Sequence, residues 1–301
     1  MQDILPKFLE EKLKKEYSSE EIKKIINGYT SNRIMSLRIN TIKTNKDKVE
    51  TELKQNNIKF TEVNWYDEAL IIDNVNENDI RKMNIYVNGE VYLQSLSSMI
   101  PVLVLEPKAG ENILDMAAAP GGKTTQISAI TNNQALITAC EKNKIRADRL
   151  RYNLEKQGTI GVNILNTNAS HLDSFFSFDR ILLDAPCSGS GTINLNNEKD
   201  MKFFSEELIN RSVKIQFELL KKAIQILKPG HEMVYSTCSI LKEENEENIK
   251  KILKNNKVEL IPINRDKFKD IEILSTDLPE TITVTPTEKY EGFFVAKLRK
   301  I

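Results

Sequence analysis

The sequence holds few of the residues that bind metals. It has two histidines, His171 and His231, and three cysteines, Cys140, Cys187 and Cys238, with no Cys-x-x-Cys pair. Those counts and spacings do not fit a zinc site, and no metal is expected. An odd number of widely spaced cysteines also argues against a disulfide framework. Net charge is absent, since 43 basic residues meet 43 acidic ones. A nucleic-acid partner would therefore have to be held by a local basic patch. Long hydrophobic runs are missing as well. The longest uncharged stretch, Val91 to Leu105, is interrupted by Gln94, serines and Pro101, and is too short to span a bilayer. The N-terminus mixes Asp3, Glu10 and Glu11 with its lysines and lacks the apolar core of a signal peptide. These absences predict a cytoplasmic protein with no membrane contact.

A chain of 301 residues has room for one large domain and a smaller one. Residues 1–88 read as a small α+β lobe. Ser18-Ser19-Glu20-Glu21 opens a helix, Ile34 to Asn40 alternates like a strand, and Asn88-Gly89 marks a turn at the end. The basic excess of the first sixty residues is modest. It suits a solvated helical surface, or a lobe that guides RNA. Residues 89–301 alternate between strand and helix patterns. Strands are expected near 113–115, 135–140, 162–165, 180–184 and 233–235. Helices are expected near 123–130, 142–156, 206–227 and 243–254. Such alternation predicts an α/β fold with a mostly parallel sheet and helices on both faces.

The chain's most informative stretch runs from Ile113 to Thr125: an apolar strand ending in Asp115, then Met116-Ala117-Ala118-Ala119-Pro120-Gly121-Gly122-Lys123-Thr124. A strand, a glycine turn and a helix N-terminus together make a ligand-binding junction. Two readings compete. Ala117 to Thr124 fits a relaxed P-loop, with Ile181-Leu182-Leu183-Asp184 as an acidic magnesium strand. Alternatively the loop holds S-adenosyl-L-methionine. Glu141, at the end of the second strand, suits a ribose diol, which a P-loop enzyme does not need, although a surface acid would look the same. Asp184-Ala185-Pro186-Cys187-Ser188-Gly189 and Tyr235-Ser236-Thr237-Cys238-Ser239 end two more strands. In a parallel sheet both thiols would then flank one pocket. Paired thiols suit methylation at carbon 5 of cytosine. A thiolate adding at carbon 6 makes carbon 5 nucleophilic, and a carboxyl at ring nitrogen 3 stabilises the adduct. Cys140 reads as structural.

These three motifs, with Leu37-Arg38-Ile39-Asn40-Thr41, Gln94-Ser95-Leu96-Ser97-Ser98-Met99 and Gly292-Phe293-Phe294-Val295-Ala296, resemble the Sun (Nop2-type) family of RNA 5-methylcytosine methyltransferases. The resemblance runs in family order from about residue 34 onward. It implies a Rossmann-like class I fold with a seven-stranded sheet, and it decides against the P-loop. It implies that Ala118, Ala119, Pro120, Gly121, Gly122 and Lys123 hold S-adenosyl-L-methionine, that Glu141 takes the ribose with Arg146 in support, and that Asn168 lies near the adenine. Asp184 would face the methyl-transfer centre, Cys238 would be the nucleophile, and Cys187 would assist breakdown of the adduct. The implied partner is RNA, with ribosomal RNA ahead of transfer RNA, and the protein is expected to act as a monomer. Two positions depart from the family. Asn168 stands where an Asp is expected, and Ile193 to Glu198 replaces a run with paired arginines. That second departure supports the rival class, a non-catalytic RNA-binding or ribosome-assembly factor with the same fold. Retention of both Cys187 and Cys238 opposes it.

Overall fold

The structure, a computed structural model, describes residues 5–197, 204–254 and 257–301. In the first third, short apolar segments pair into an antiparallel sheet. Strands β1 (Met35–Ile39), β2 (Phe60–Glu62), β3 (Ala69–Ile72) and β4 (Val91–Leu93) lie in the order β2-β3-β1-β4. Helices α3 (Lys46–Gln55), α4 (Glu77–Lys82) and α5 (Asn84–Val87) cover it. Val49, Leu53, Ile80 and Ile85 bury themselves against Leu37, Ile39, Leu70 and Ile72.

Two earlier helices, α1 (Lys7–Glu16) and α2 (Ser19–Thr30), take a different place. A reciprocal box between Ser18 and Glu21 starts α2. Leu9, Leu13, Ile25 and Tyr29 then pack with Ile193, Ile209, Ile240 and Leu241 of the second domain. Gly28 of α2 rests against Pro286 so closely that a Cβ would fall 2.0 Å from its carbonyl oxygen. The division expected at residue 88 thus differs from the packing in two respects. Val91–Leu93 lies beyond that point yet pairs with β1, Leu37 opposite Leu93. The first thirty residues lie before it yet pack on the larger domain, because their apolar stripes find partners there.

The larger sheet contains β5 (Asn112–Asp115), β6 (Leu136–Cys140), β7 (Val162–Leu165), β8 (Phe178–Asp184), β9 (Leu227–Thr237), β10 (Val258–Ile261), β11 (Ile282–Val284) and β12 (Phe293–Lys300). Its order is β10-β12-β9-β8-β5-β6-β7, with β11 as an added strand on β12. Strands β7, β6, β5, β8 and β9 are parallel, and β12 runs antiparallel between β9 and β10. This is a Rossmann-like, mostly parallel sheet with seven strands along its main path and β11 as an eighth. Side chains alternate between its faces, as the pleat requires. Ile113, Leu182 and Val234 face α6 (Leu96–Leu105). Leu114, Leu183 and Met233 face α9 (Glu206–Ile226) on the other side. Helices α7 (Gly122–Ile130), α8 (Lys144–Lys156) and α10 (Glu246–Leu253) complete the layers. The last begins later than its apolar pattern predicts, because Glu244 and Asn245 are drawn into the preceding loop. The order in which successive strands are added reverses between the parallel neighbours β5 and β8, which opens a crevice at their C-terminal ends. Among the described residues no helix is long and apolar enough to cross a membrane.

Asn40 joins the two domains. Only 2% exposed, it donates to the carbonyls of Gly89 and Gln157, both at 2.8 Å, and accepts from the Ile42 amide at 3.1 Å. Arg38, 1% exposed, reaches from the small sheet to Thr125 of α7 at 2.8 Å. Replacing Asn40 with Ala strands two buried carbonyls and the half-buried Ile42 amide. It is expected to lower stability by about 3 kcal/mol, read as a lower urea midpoint at unchanged slope. An unchanged midpoint would show that this contact does not hold the domains together.

Candidate active site

The crevice is built on the loop after β5. Asp115 ends the strand at 1% exposure. It accepts from the Thr124 hydroxyl at 2.7 Å, which ties the strand end to the first turn of α7. Between them the chain turns through a cis Ala119-Pro120 bond and Gly121, whose φ of 111° only glycine adopts without strain. A Cβ on Gly122 would come 3.2 Å from the Tyr92 ring. The loop's carbonyls are held from outside. Arg146 Nη2 donates to Ala119 O at 2.8 Å and Asn153 Nδ2 to Pro120 O at 2.7 Å. Inside lies a hollow of about 210 Å³, lined by Asp115, Ala117 to Pro120, Gly122, Lys123 and Asp184, with Tyr92 to Ser95 and Ser98 opposite.

Lys123 and Thr124 are the residues a P-loop would turn toward phosphates. Here Lys123 Nζ donates to Asp184 Oδ2 and to Ser98 Oγ, both at 2.6 Å. Thr124 is spent on Asp115. Asp184 Oδ1 accepts from Ser236 Oγ at 2.8 Å, so both its oxygens are fixed. Glu141 is 4% exposed at the end of β6. It accepts from the Asn143 amide at 2.8 Å and pairs with Arg146 Nε at 3.4 Å. Arg146 therefore links Glu141 to the Ala119 carbonyl. Asn168 lies after β7, where its side-chain oxygen accepts from the Ser170 amide at 3.1 Å and caps a short turn. Glu141, Arg146 and Asn168 flank the loop without lining the hollow itself.

Strands β8 and β9 run side by side, Asp184 opposite Ser236. The loops that follow therefore start at one rim and bring Cys187 and Cys238 together. Their Cα atoms are 6.4 Å apart, and the structure joins the sulfurs as a disulfide. The spacing of the cysteines argues against a disulfide framework, and adjacent strand ends nevertheless bring these two together at one rim. A nucleophile must be a thiolate, so any reaction at this pair requires the reduced form. Cys140 is fully buried, and burial with the nearby Asp115 charge pushes its thiol up to about 12. It is unsuited to nucleophilic chemistry.

Glu244 fixes the two cysteine loops, and the sequence analysis missed it. It is fully buried. It accepts from the Ser188 amide at 2.8 Å, the Ser188 and Ser239 hydroxyls at 2.5 Å each, and Gln216 Nε2 at 3.0 Å. Burial raises its pKa, while these hydrogen bonds pull the other way. Gln216 also holds the Pro186 carbonyl at 3.0 Å, and Gly191 N donates to Cys238 O at 3.0 Å. In sequence Glu244 sits among Glu243, Glu246 and Glu247 with nothing to set it apart. Ile193 and Leu195 pack with α2, while Asn196 and Asn197 are exposed. Ile193 is 3% exposed and Leu195 N donates to Tyr29 O at 2.8 Å. Glu198, the end of that run, lies outside the described residues.

Comparison with known proteins agrees with this geometry. Residues 102–299 match the model of a family described as 16S rRNA methyltransferase RsmB/F. Residues 5–77 match the ferredoxin-like domain of RsmF/B-like methyltransferases. The chain is 34% identical over 279 residues to ribosomal RNA small subunit methyltransferase F of Vibrio vulnificus, covering 88% of this chain and 57% of that protein. It is 34% identical over 315 residues to a mouse 28S rRNA (cytosine-C(5))-methyltransferase, covering 97% of this chain and 38% of that one. The chain thus spans little more than half the length of the bacterial relative. Among solved structures, a methyltransferase homolog from Pyrococcus horikoshii superposes with TM-score 0.80 at 32% identity, covering 99% of this chain and 100% of that one.

Burial pushes the Asp115 carboxyl up to about 6, against the pull of Thr124 and Lys123. An unfolded Asp titrates near 4. The folded protein therefore takes up this proton first, and Asp115's contribution to stability falls as pH rises from about 4 to about 6, then levels off. The stability difference between the wild type and Asp115→Asn is expected to change by about 3 kcal/mol across that window. Urea titrations at several pH values measure it. A difference that stays flat would show that Asp115 is not held in this way.

Proposed function

Because the chain belongs to the 16S rRNA methyltransferase RsmB/F family, we propose that it transfers a methyl group from S-adenosyl-L-methionine to carbon 5 of a cytosine in ribosomal RNA. One observation carries the reading: Cys187 and Cys238, from adjacent strand ends, meet beside Asp184. The names of the similar proteins favour ribosomal over transfer RNA. The alternative of a non-catalytic assembly factor would need neither thiol.

The residues present fit the cofactor. The glycine turn leaves backbone room at the helix N-terminus. Glu141 offers a buried carboxylate for a diol. Gln94, which lines the hollow, carries a buried Oε1 with no partner among the described residues, the chemistry an ammonium group needs. Ala118 to Lys123 would hold the methionine end, Glu141 with Arg146 the ribose, and Asn168 the adenine side. S-adenosyl-L-methionine, when bound, supplies an electrophilic methyl group.

Cys238, as a thiolate, adds to carbon 6 of the ring, and the electron density gained makes carbon 5 nucleophilic. Asp184, held by Lys123 and Ser236, shares the proton that ring nitrogen 3 takes up. Once carbon 5 has accepted the methyl group, its proton must leave before the bond from carbon 6 to Cys238 breaks. Cys187 stands beside Cys238 to assist that elimination, which returns the thiolate and restores the aromatic ring. In this proposal residues 1–88 guide the RNA, residues 89–301 catalyse, and the protein works as a cytoplasmic monomer. A dimer in gel filtration would contradict the last point.

Under reducing conditions, Cys238→Ala is expected to lose methyl transfer by at least about a thousandfold and to form no adduct. Cys187→Ala is expected to accumulate a covalent protein–RNA species on denaturing gels. Free turnover by Cys238→Ala, or turnover without adduct by Cys187→Ala, would overturn the corresponding role.

A further inference from the structure

A second hollow, of about 510 Å³, opens between α8 and the small sheet. It shares Tyr92, Leu93 and Pro120 with the hollow at the cofactor loop, so the two form one trough along β4, the edge strand of the small sheet. No carboxylate lines it. Its walls instead carry Arg149, Lys156 and Arg81, interleaved with Tyr86, Tyr92 and Tyr152. The trough's other end, which shares Leu93 with both hollows, sets three cations against three carboxylates. The basic excess is therefore confined to the α8 side.

Two of the three cations on that side, Arg149 and Lys156, have no counter-ion among the described residues. Arg81 is paired with Glu77 at 2.8 Å. Arg149 is exposed and makes no hydrogen bond or ion pair among the described residues. Lys156 Nζ sits 3.6 Å from the centre of the Tyr86 ring. Burial, with Arg81 and Lys43 close by, lowers its pKa. Tyr152, one helical turn on from Arg149, is 61% exposed and offers a free aromatic face. Two cations without counter-ions beside one open aromatic ring are the chemistry of single-stranded nucleic acid, with phosphate on the cations and a base on the ring.

We propose that this hollow binds a nucleotide of the RNA strand flanking the target cytosine, its phosphate on Arg149 and Lys156 and its base on Tyr152. The proposal rests on the reading of the protein as one that acts on RNA. It goes beyond that reading by assigning a second RNA contact, on the far side of the cofactor loop from the thiols.

The test is fluorescence anisotropy of the full chain with a short, labelled, single-stranded RNA at several salt concentrations. Arg149→Ala is expected to weaken binding about tenfold and to reduce the slope of log affinity against log salt by about 0.7. Tyr152→Ala is expected to weaken it by about tenfold with the slope unchanged. Calorimetric S-adenosyl-L-methionine binding, expected to be unchanged in both variants, reports that the fold and the neighbouring loop are intact. Wild-type RNA affinity and salt slope in both variants would overturn the proposal. Competition by cytidine monophosphate as strong as by the RNA strand would overturn it in favour of a mononucleotide site. RNA binding that responds to the variants in a protein that methylates nothing would sink the enzymatic reading and leave this contact standing.

Discussion

Both reactive thiols depend on one buried carboxylate. Glu244 belongs to neither cysteine loop, yet it takes hydrogen bonds from Ser188 on one and Ser239 on the other. A carboxylate only accepts, so it satisfies four donors that a neutral side chain could not all serve. Taking it out of water is costly, and the converging donors offset that cost. Around it the loops have little freedom. Asn245 holds Thr237 and the Ser239 carbonyl at 2.6 and 2.9 Å, and Tyr235 donates to the Glu244 carbonyl at 2.6 Å. In the proposed reaction two thiols act in turn on one ring, and the fold rather than the substrate then keeps them at one distance.

A second constraint couples this pair to the cofactor loop. Lys123 begins α7 and Asp184 ends β8, and their ion pair spans the crevice at 2.6 Å. Ser98 of α6 shares the same ammonium. Three elements therefore converge on the Lys123 ammonium, where the proposed reaction would pass the methyl group. Asp115, one strand over, is kept from solvent behind them, and that burial, with the nearby Asp184 charge adding to it, raises its pKa.

Much of this was legible in the sequence because strand ends and glycine turns carry their own signals. Asp115, Glu141, Asp184 and Cys238 each follow an apolar run, and a parallel sheet brings all such ends to one rim. The mostly parallel character of the larger sheet followed from the same alternation and from the family resemblance, while its strand order did not. What stayed hidden depends on contacts between distant segments. Glu244 looks like any acid of a solvated helix until Ser188 and Ser239 are seen to close on it. Val91–Leu93 reads as the start of the second domain, and only its pairing with β1 returns it to the small sheet. The loss of cations at 193–197 looked like weakened RNA binding. In the fold Ile193 and Leu195 of that run seat α2, and the basic excess lies instead on α8, where Arg149 and Tyr152 share a turn that local sequence marks only as amphipathic.

The central claim is methylation at carbon 5 of a ribosomal cytosine, and bisulfite sequencing of ribosomal RNA from cells with and without this gene tests it most directly. The methylated base resists deamination and is read as a retained cytosine. The account predicts one cytosine that is retained when the gene is present and converted when it is deleted, and restored by the wild-type gene. Identical conversion at every ribosomal cytosine in both cells would contradict it.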